Sequence, residues 1–519
     1  MKKKIMIIVA LLMALNLNIA YAVEVFQTET ELKTWKPDKA YNGYTIFCPM
    51  NPRATAPIFM IDMEGNLVHT WGTLHIENPK LRDNGNIYGG TDEFDWDGNK
   101  VVEGRNRKDA WRIWNKKLKA WTTIALADFS GWTNEECWAA GGDPSIDYVA
   151  EGKARGAQGI EEIDMNGNRV WVWRHIDHTI QDRNPEWANY AGKGKTVADY
   201  PGKADVFWKT NASTAGGDDE GIVNDWRHDN GLDYNEDLGY VALNAKHWSE
   251  FVVIDHDATF VSTAEDFAAD PVAALQANID AAASDSGDFI YRFGNPSCYK
   301  QGDPPGFLNE GSQQMYGAHN IEWIDKGLPG EGNMMLFDNG CYNPRGFRSS
   351  IIEINPFISG IDEKTGKPVV SDRFVNPPDA EYKVNGESNQ VVYSFQSTNL
   401  NSFYSFYASG VQRLPNGNNL VCSARHGHLF EITPEGEVVW EYINPAQNSG
   451  IKKVIVDGES NSHSVFRAYR YGPDHPAFKG KDLTPKGKIT DLFAAGKLEY
   501  KAGAAGGDKG NKGGKGGKK

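Results

Sequence analysis

Past its first two dozen residues the chain has no long apolar run, so no later segment offers the ~20 consecutive apolar residues that a membrane-spanning helix needs. Metal-binding spacings are missing too. No Cys-x-x-Cys pair and no cysteine/histidine cluster has zinc spacing, which argues against a structural zinc. Gly-x-Ser-x-Gly, His-Glu-x-x-His and the phosphate-cradling Gly-rich loop are all absent, leaving lipase, zinc-protease and NTPase chemistry without support. Positive charge is in deficit: 54 Lys and Arg against 69 Asp and Glu give a net charge of −15. A chain of that sign is a poor partner for nucleic acid or an anionic bilayer. Cysteines number five (Cys48, Cys137, Cys298, Cys341 and Cys422), an odd count that leaves at least one unable to pair within the chain.

What is present begins with a leader. Lys2, Lys3 and Lys4 precede an apolar stretch from Ile5 to Leu15, and Ala20-Tyr21-Ala22 closes it with small residues at the two positions read for cleavage. This predicts a secretory signal peptide over residues 1–22, cut before Val23, and a periplasmic or secreted protein. A membrane anchor is the competing reading, disfavoured because the run is too short to span. Losing the three leader lysines takes the net charge from −15 to −18. At the other end, residues 501–519 are rich in glycine and lysine and carry no apolar face. They are expected to be disordered, either a flexible basic arm or a solvated terminus. The expectation for residues 23–500 is one domain.

Within that span one short phrase recurs: a turn pair containing glycine, then alternating apolar residues, often with tryptophan. Glu64-Gly65-Asn66-Leu67, Asp97-Gly98-Asn99, Asn166-Gly167-Asn168, Asn416-Gly417-Asn418 and Glu435-Gly436-Glu437 all carry it. Such dipeptides supply the positive φ of tight hairpin turns. The flanks have the period of two that a strand requires, as in Arg169 to Trp173, where Val170 and Val172 share one side and Trp171 and Trp173 the other. Hairpins repeated over most of the chain predict an all-β repeat architecture, best met by a β-propeller, with two β-sandwiches as the alternative. Two stretches break the pattern and read as insertions: Asp266 to Ala283, alanine-rich and suited to one or two short helices after Pro271, and Tyr190 to Asp219, rich in glycine and lysine.

Four segments set a histidine beside a strand-like run. They are Arg227-His228-Asp229-Asn230-Gly231, Gly317-Ala318-His319-Asn320-Ile321, Arg425-His426-Gly427-His428-Leu429 and Lys246-His247-Trp248. A strand that begins at a propeller's axis projects side chains into the central channel, so histidines distant in sequence can converge there. Imidazoles so placed can bind an oxyanion, move protons or act as nucleophiles.

These segments carry a family resemblance. From about Tyr41 to about Pro485 the chain resembles the bacterial arylsulfotransferases, most strongly in RHDNGLDY, GAHNIEWI, MMLFDNG and GVQRLPNGNNLVCSARHGHLFEITPEGEVVWEY. The resemblance implies a six-bladed periplasmic propeller. It implies transfer of a sulfuryl group from an aryl sulfate to a phenol, with no nucleotide donor and no cofactor. It also maps the family's site onto His228 and His319 as sulfate-binding histidines and onto His428 as the histidine transiently sulfated, with His426 the close alternative on the same strand face. His247 and Arg348 join as substrate-binding candidates. The family's arginine position falls on Ser350, and Arg348, two residues earlier and so on the same face, is the expected replacement. Two other readings stay open: a secreted propeller that binds a partner without catalysis, and a sulfate-ester hydrolase on the same scaffold. Lower in rank are a metal cluster at Asp255-His256-Asp257, a channel role for His175 and His178, and a calcium turn at Asp338-Asn339-Gly340, which lacks the spaced oxygens of a dedicated loop.

Overall fold

The computed structural model describes residues 27–50, 57–72, 76, 78–90, 92–103, 109–129, 149–150, 153–154, 157–206, 208, 227–341, 343–376, 388–396, 403–447, 450–456 and 463–500. The expected leader, the Gly/Lys tail and Cys137 lie outside them.

The fold is a six-bladed β-propeller of antiparallel four-stranded sheets. Blade 2 runs Lys80–Leu81, Ile87–Gly89, Asp92–Phe94 and Lys100–Val102. Blade 3 runs Ala110–Asn115, Ala120–Phe129, Ala157–Asp164 and Arg169–Arg174, and blade 4 runs Asp229–Asn235, Tyr240–Ala245, Glu250–Asp255 and Phe289–Phe293. Blade 5 is His319–Trp323, Met334–Asp338, Ser350–Ile354 and Val391–Gln396; blade 6 is Gly410–Arg413, Asn419–Ser423, His428–Ile432 and Val438–Ile443. Blade 1 joins the two ends of the chain: the late strand Val465–Tyr471 is innermost and pairs with the early strand Tyr44–Pro49, followed by Ile58–Ile61 and Leu67–Trp71. A further early strand, Glu31–Trp35, pairs with the outer strand of blade 6. The ring is thus closed twice by hydrogen-bonded ladders between distant segments.

The recurrent glycine phrases are the hairpin turns joining third to fourth strands in blades 1, 2, 3 and 6, and first to second strands in blade 6. In blades 1 to 3 an aspartate closes each turn: Asp62, Asp95 and Asp164 accept from the backbone N–H of Asn66, Asn99 and Asn168, each at 2.8 Å. The glycine between them has φ of 77°, 85° and 84°, a region costly for other residues. All these turns lie on one face of the disc. The first strands begin on the opposite face, which also carries the turns between second and third strands. The alanine-rich insertion forms helices Ala264–Ala269 and Pro271–Ala282 between the last two strands of blade 4. Pro271 occupies the first turn, and Asp270 caps it by accepting from the N–H of Val272 and Ala273. Large buried side chains, among them Trp71, Trp171, Trp173, Trp248 and Trp440, fill the layers between blades.

On the axis the packing becomes polar. Asp109 is fully buried and accepts four hydrogen bonds: from Asn78 Nδ2 at 2.8 Å and Lys80 Nζ at 3.1 Å, from Arg467 Nη1 at 3.2 Å, and from the N–H of Leu232 at 3.1 Å. Those donors come from blades 2, 1 and 4. Arg467 also donates to the carbonyls of Asn230 and Ser409, drawing in blade 6. Burial alone would raise the Asp109 carboxyl, but Lys80 and Arg467 more than offset it and hold it below its ordinary value. Glu322 of blade 5 accepts from Asn320 at 2.6 Å and from Tyr469 at 2.9 Å, and burial lifts it to about 7. Blades approach so closely here that a side chain at Gly410 would put its Cβ 2.1 Å from Asn320 Oδ1.

Removing the anion strands two buried cations. Asp109→Asn is expected to cost about 3–5 kcal/mol of unfolding free energy, read from the midpoint and slope of a urea titration. A loss below about 1 kcal/mol would show that water reaches Lys80 and Arg467.

Candidate functional site

The face on which the inner strands start gathers most of the polar residues singled out by sequence. His228 precedes the first strand of blade 4 in a left-handed conformation, φ 53°. Its half-buried ring lies 4.7 Å from that of His247, centroid to centroid, on the turn between second and third strands of the same blade. The backbone carbonyls of Arg227 and His228 accept from the N–H of His247 and Lys246, tying the turn to the strand start. Behind it, His175 Nε2 meets Asp229 Oδ2 at 2.7 Å and Arg227 donates to Glu250 at 3.1 Å, both pairs buried.

His319 begins the first strand of blade 5, next to this pair, and feels the charges of Lys246 and His228. Its protonation follows from its neighbours. The amide nitrogen of Asn339 donates to the carbonyls of Ser405 and Ala408, at 2.6 and 3.2 Å. That orients Asn339 Oδ1 toward His319 Nδ1, 2.6 Å away, so Nδ1 carries the hydrogen. Nε2 is then the acceptor, and the N–H of Ala408 donates to it at 3.1 Å. Burial, reinforced by Lys246, pushes the imidazole well below its usual range. Without a ligand His319 is thus a neutral, doubly bonded wall residue joining blades 5 and 6.

Blade 6 contributes a turn of three residues, Ala424–His426, closed by Gly427 at φ 53°. His426 is half-buried, its ring 6.4 Å from that of His463, which leads into the innermost strand of blade 1. His428 opens the third strand instead, two strands out from the axis. Its Nε2 meets Glu441 Oε1 at 2.9 Å and its ring lies on Phe430. Glu441 is in turn bonded to Thr34 of the added early strand. His426 and His428 were expected on one strand face; the helical turn and Gly427 between them break that parity, and the two rings have different neighbours, His463 at the entry to an innermost strand for His426 and Glu441 on the outermost strand of the blade for His428.

The parity argument for Arg348 fails for a similar reason. The third strand of blade 5 starts at Ser350, and Arg348 lies in the irregular stretch before it. Ser350 is buried and paired with Asp338. The Arg348 guanidinium stands 4.0 Å from Glu310, which also pairs with Arg345 at 3.1 Å.

Arg425 has no role in the sequence reading, although it adjoins His426. It is half-buried, and its guanidinium lies over the Phe406 ring, 5.3 Å from the centroid. Phe406 and Tyr407 form an edge-on pair at 4.7 Å, and Phe347 packs against Tyr404 at 5.6 Å. The result is an aromatic rim beside the histidines, with Phe347 and Phe406 exposed.

The lower-ranked candidates resolve into structure. His256 is buried between Glu162 and Asp257, at 2.7 and 3.2 Å; burial opposes its charge, but the two carboxylates prevail and hold it up at about 9. Among the described residues no cluster of side chains is suited to a metal ion. His178 stacks on Trp173 and meets Asp288 at 2.8 Å, away from the axis. Asp338 accepts from the N–H of Tyr316 and Gly340, which makes Asp338-Asn339-Gly340 a structural turn. No described cysteine is in a disulfide: Cys48, Cys298, Cys341 and Cys422 are buried thiols.

A model of the arylsulfotransferase (ASST) family matches residues 145–470. None of the curated proteins matches the chain. Among solved structures, a protein of unknown function from Bacteroides caccae aligns over 78% of this chain and 94% of its own at 10% identity and a TM-score of 0.34. The Cps50 (Swd1) β-propeller domain of Myceliophteria thermophila aligns over 86% and 98% at 8% identity and a TM-score of 0.32. A putative 6-phosphogluconolactonase from Bacteroides fragilis aligns over 84% and 99% at 11% identity and a TM-score of 0.28.

His319 is neutral when folded and protonatable when unfolded, so the unfolded chain binds the extra proton. Stability from this residue is intact above about pH 6.5 and falls by about 1.4 kcal/mol per pH unit below it. His69 and His175, both lowered to about 4 by burial, add to the same acid-side loss. His319→Gln is expected to be less stable than the parent at about pH 7.5 yet to lose less between there and about pH 5. Equal losses in denaturant titrations at the two pH values would mean that the ring titrates freely in the folded protein.

Proposed function

The chain belongs to the arylsulfotransferase family, and from that premise we propose that it transfers a sulfuryl group from an aryl sulfate to a phenol through a sulfo-histidine. The observation that supports this reading most directly is the set of imidazoles on one face: His228 close to His247, His319 beside them, and His426 near His463 at the blade 6 to blade 1 side.

We assign the nucleophile to His426. Its ring faces a residue that leads into an innermost strand, whereas His428 is engaged with Glu441 toward the rim. In the first step an imidazole nitrogen of His426 attacks sulfur, the bond from sulfur to the donor's phenolic oxygen breaks, and the leaving phenolate takes a proton from the His228–His247 pair. In the second the acceptor's oxygen attacks sulfur, the N–S bond breaks, and the phenolic proton returns to that pair. Histidine suits both halves, being a good nucleophile near neutrality and a competent leaving group once sulfated. His228, His247 and Arg348 are the substrate contacts of this reading, His228 being the one that the family resemblance maps directly. His319 sets the wall from which they work. The aromatic rim offers flat apolar surface to the donor and acceptor rings. The leader motivates a periplasmic or secreted setting.

Purified protein supplied with 4-nitrophenyl sulfate is expected to release 4-nitrophenol only when a second phenol is present, and to form that phenol's sulfate ester. His426→Ala should lower turnover by three orders of magnitude or more, roughly the scale of losing a nucleophile. His428→Ala should leave most of it. The reverse ranking would move the nucleophile to His428. Sulfate release into water alone would mark a hydrolase, and no release with any donor–acceptor pair would leave a binding protein.

A further inference from the structure

Transfer of a sulfuryl group spreads negative charge over three oxygens, and a preorganised cationic fork is the natural complement. Of the two positions considered for that part on blade 5, the one that aligns with the family's arginine supplies none. Ser350 is uncharged, buried and paired with Asp338 in its sheet. Arg348 lies outside the strand and shares its charge with Glu310. A guanidinium on the neighbouring blade has, among the described residues, no such carboxylate beside it.

We propose that Arg425 of blade 6 is that fork, the residue that binds the sulfate oxygens of the donor and of the sulfuryl group in transfer. The proposal rests on the sulfotransferase reading and names its anion-binding residue.

Three observations carry it. First, Arg425 lacks a countercharge: among the described residues no carboxylate lies within ion-pair distance, and its guanidinium rests on the face of Phe406. On a chain with 69 acidic residues that is a conspicuous omission, since Arg467, Arg470, Arg292 and Arg413 each have a carboxylate partner. Second, its backbone is pinned. Arg425 N–H donates to Ser405 Oγ at 3.1 Å, its carbonyl accepts from Ser464 Oγ at 3.3 Å, and the preceding Ala424 N–H donates to Ser409 Oγ at 3.0 Å. The Phe406 ring fixes the side chain by a cation–π contact that leaves the guanidinium edge available. A fork held in advance loses little on binding and stabilises charge without reorganising. Third, it is in the right company. Ser405, which holds Arg425, also offers its carbonyl to Asn339, the residue that orients His319. The next residue along the chain is His426.

The test uses the full-length protein, steady-state transfer from 4-nitrophenyl sulfate to phenol, and calorimetric titration with inorganic sulfate and with 4-nitrophenyl sulfate. Arg425→Gln is expected to lower kcat/KM and the affinity for both anions by about ten- to a hundredfold, the scale of a charge-assisted hydrogen bond. Arg425→Lys keeps the charge and loses the fork, and should fall between; it also serves if the Gln variant does not fold. Lys326→Gln, an exposed change on the opposite face, should alter neither quantity. If Arg425→Gln and Arg425→Lys leave kcat/KM and anion affinity within about twofold while Arg348→Gln abolishes them, the inference is overturned and the sulfotransferase reading stands. If the parent protein turns over no donor yet binds sulfate in an Arg425-dependent way, the functional reading falls and this one survives. Absence of sulfate binding by the parent overturns it.

Discussion

The contact on which the ring depends is the buried carboxylate of Asp109. A propeller's blades are joined to one another by packing, since each sheet satisfies its own ladder and the innermost strands have an edge turned to the axis. Asp109 takes four hydrogen bonds there from three other blades, and Arg467 extends the set to blade 6. The two cations keep it ionised against the pull of burial. Replacing such a network by hydrocarbon is often neutral or stabilising, so its value here is better understood as registration than as binding energy. It fixes how blades 1, 2, 3, 4 and 6 sit around the axis, and it forms a floor to the channel beneath His228, His319 and Ala408.

That floor explains the state of the residues above it. Arg467 and Lys246 lie close enough to depress His319, and the Asn339 amide, oriented by two carbonyls of the segment leading into blade 6, dictates its tautomer. A histidine in that position transmits the spacing between blades 5 and 6 to the mouth. The tilted pair His228–His247 differs in kind: half-buried, and backed by the Arg227–Glu250 and His175–Asp229 pairs. Stiff support under a more open pair suits groups that must exchange protons with a solute.

Much of the architecture was legible in the chain because it is local. A glycine closing a tight turn and a period of two need only neighbours within five residues, and both were readable around Gly65 and Asn66 and at their counterparts. The helix begun by Asp270 and Pro271 was readable on the same grounds. The axial network was not, since Arg467 and Asp109 are 358 residues apart and meet only once the ring closes. Strand parity misled at two places for one reason. Counting by twos holds only inside a strand, and both counts ran past a strand's end: Ala424–His426 is a helical turn, and Arg348 precedes the strand that opens at Ser350. The histidines near the strand start were readable; their different neighbours, His463 for His426 and Glu441 for His428, were not.

Charge compensation separates the roles of the cations more sharply than burial or sequence context does. Arg467 and Lys80 share Asp109, Arg292 and Arg227 share Glu250, and Arg470 holds Glu431. Each of these is buried and has its countercharge supplied by the fold. Among the described residues Arg425 has none, although acidic residues outnumber basic ones in the chain. A protein of net negative charge that leaves a guanidinium without a carboxylate on the face where its imidazoles gather, and braces it against an aromatic ring, has a local field opposed to its global one. Such a field draws an anion to one place on a surface that otherwise repels it. The overall charge and the half-buried cation then act together: the first discourages anions elsewhere, and the second selects where they settle.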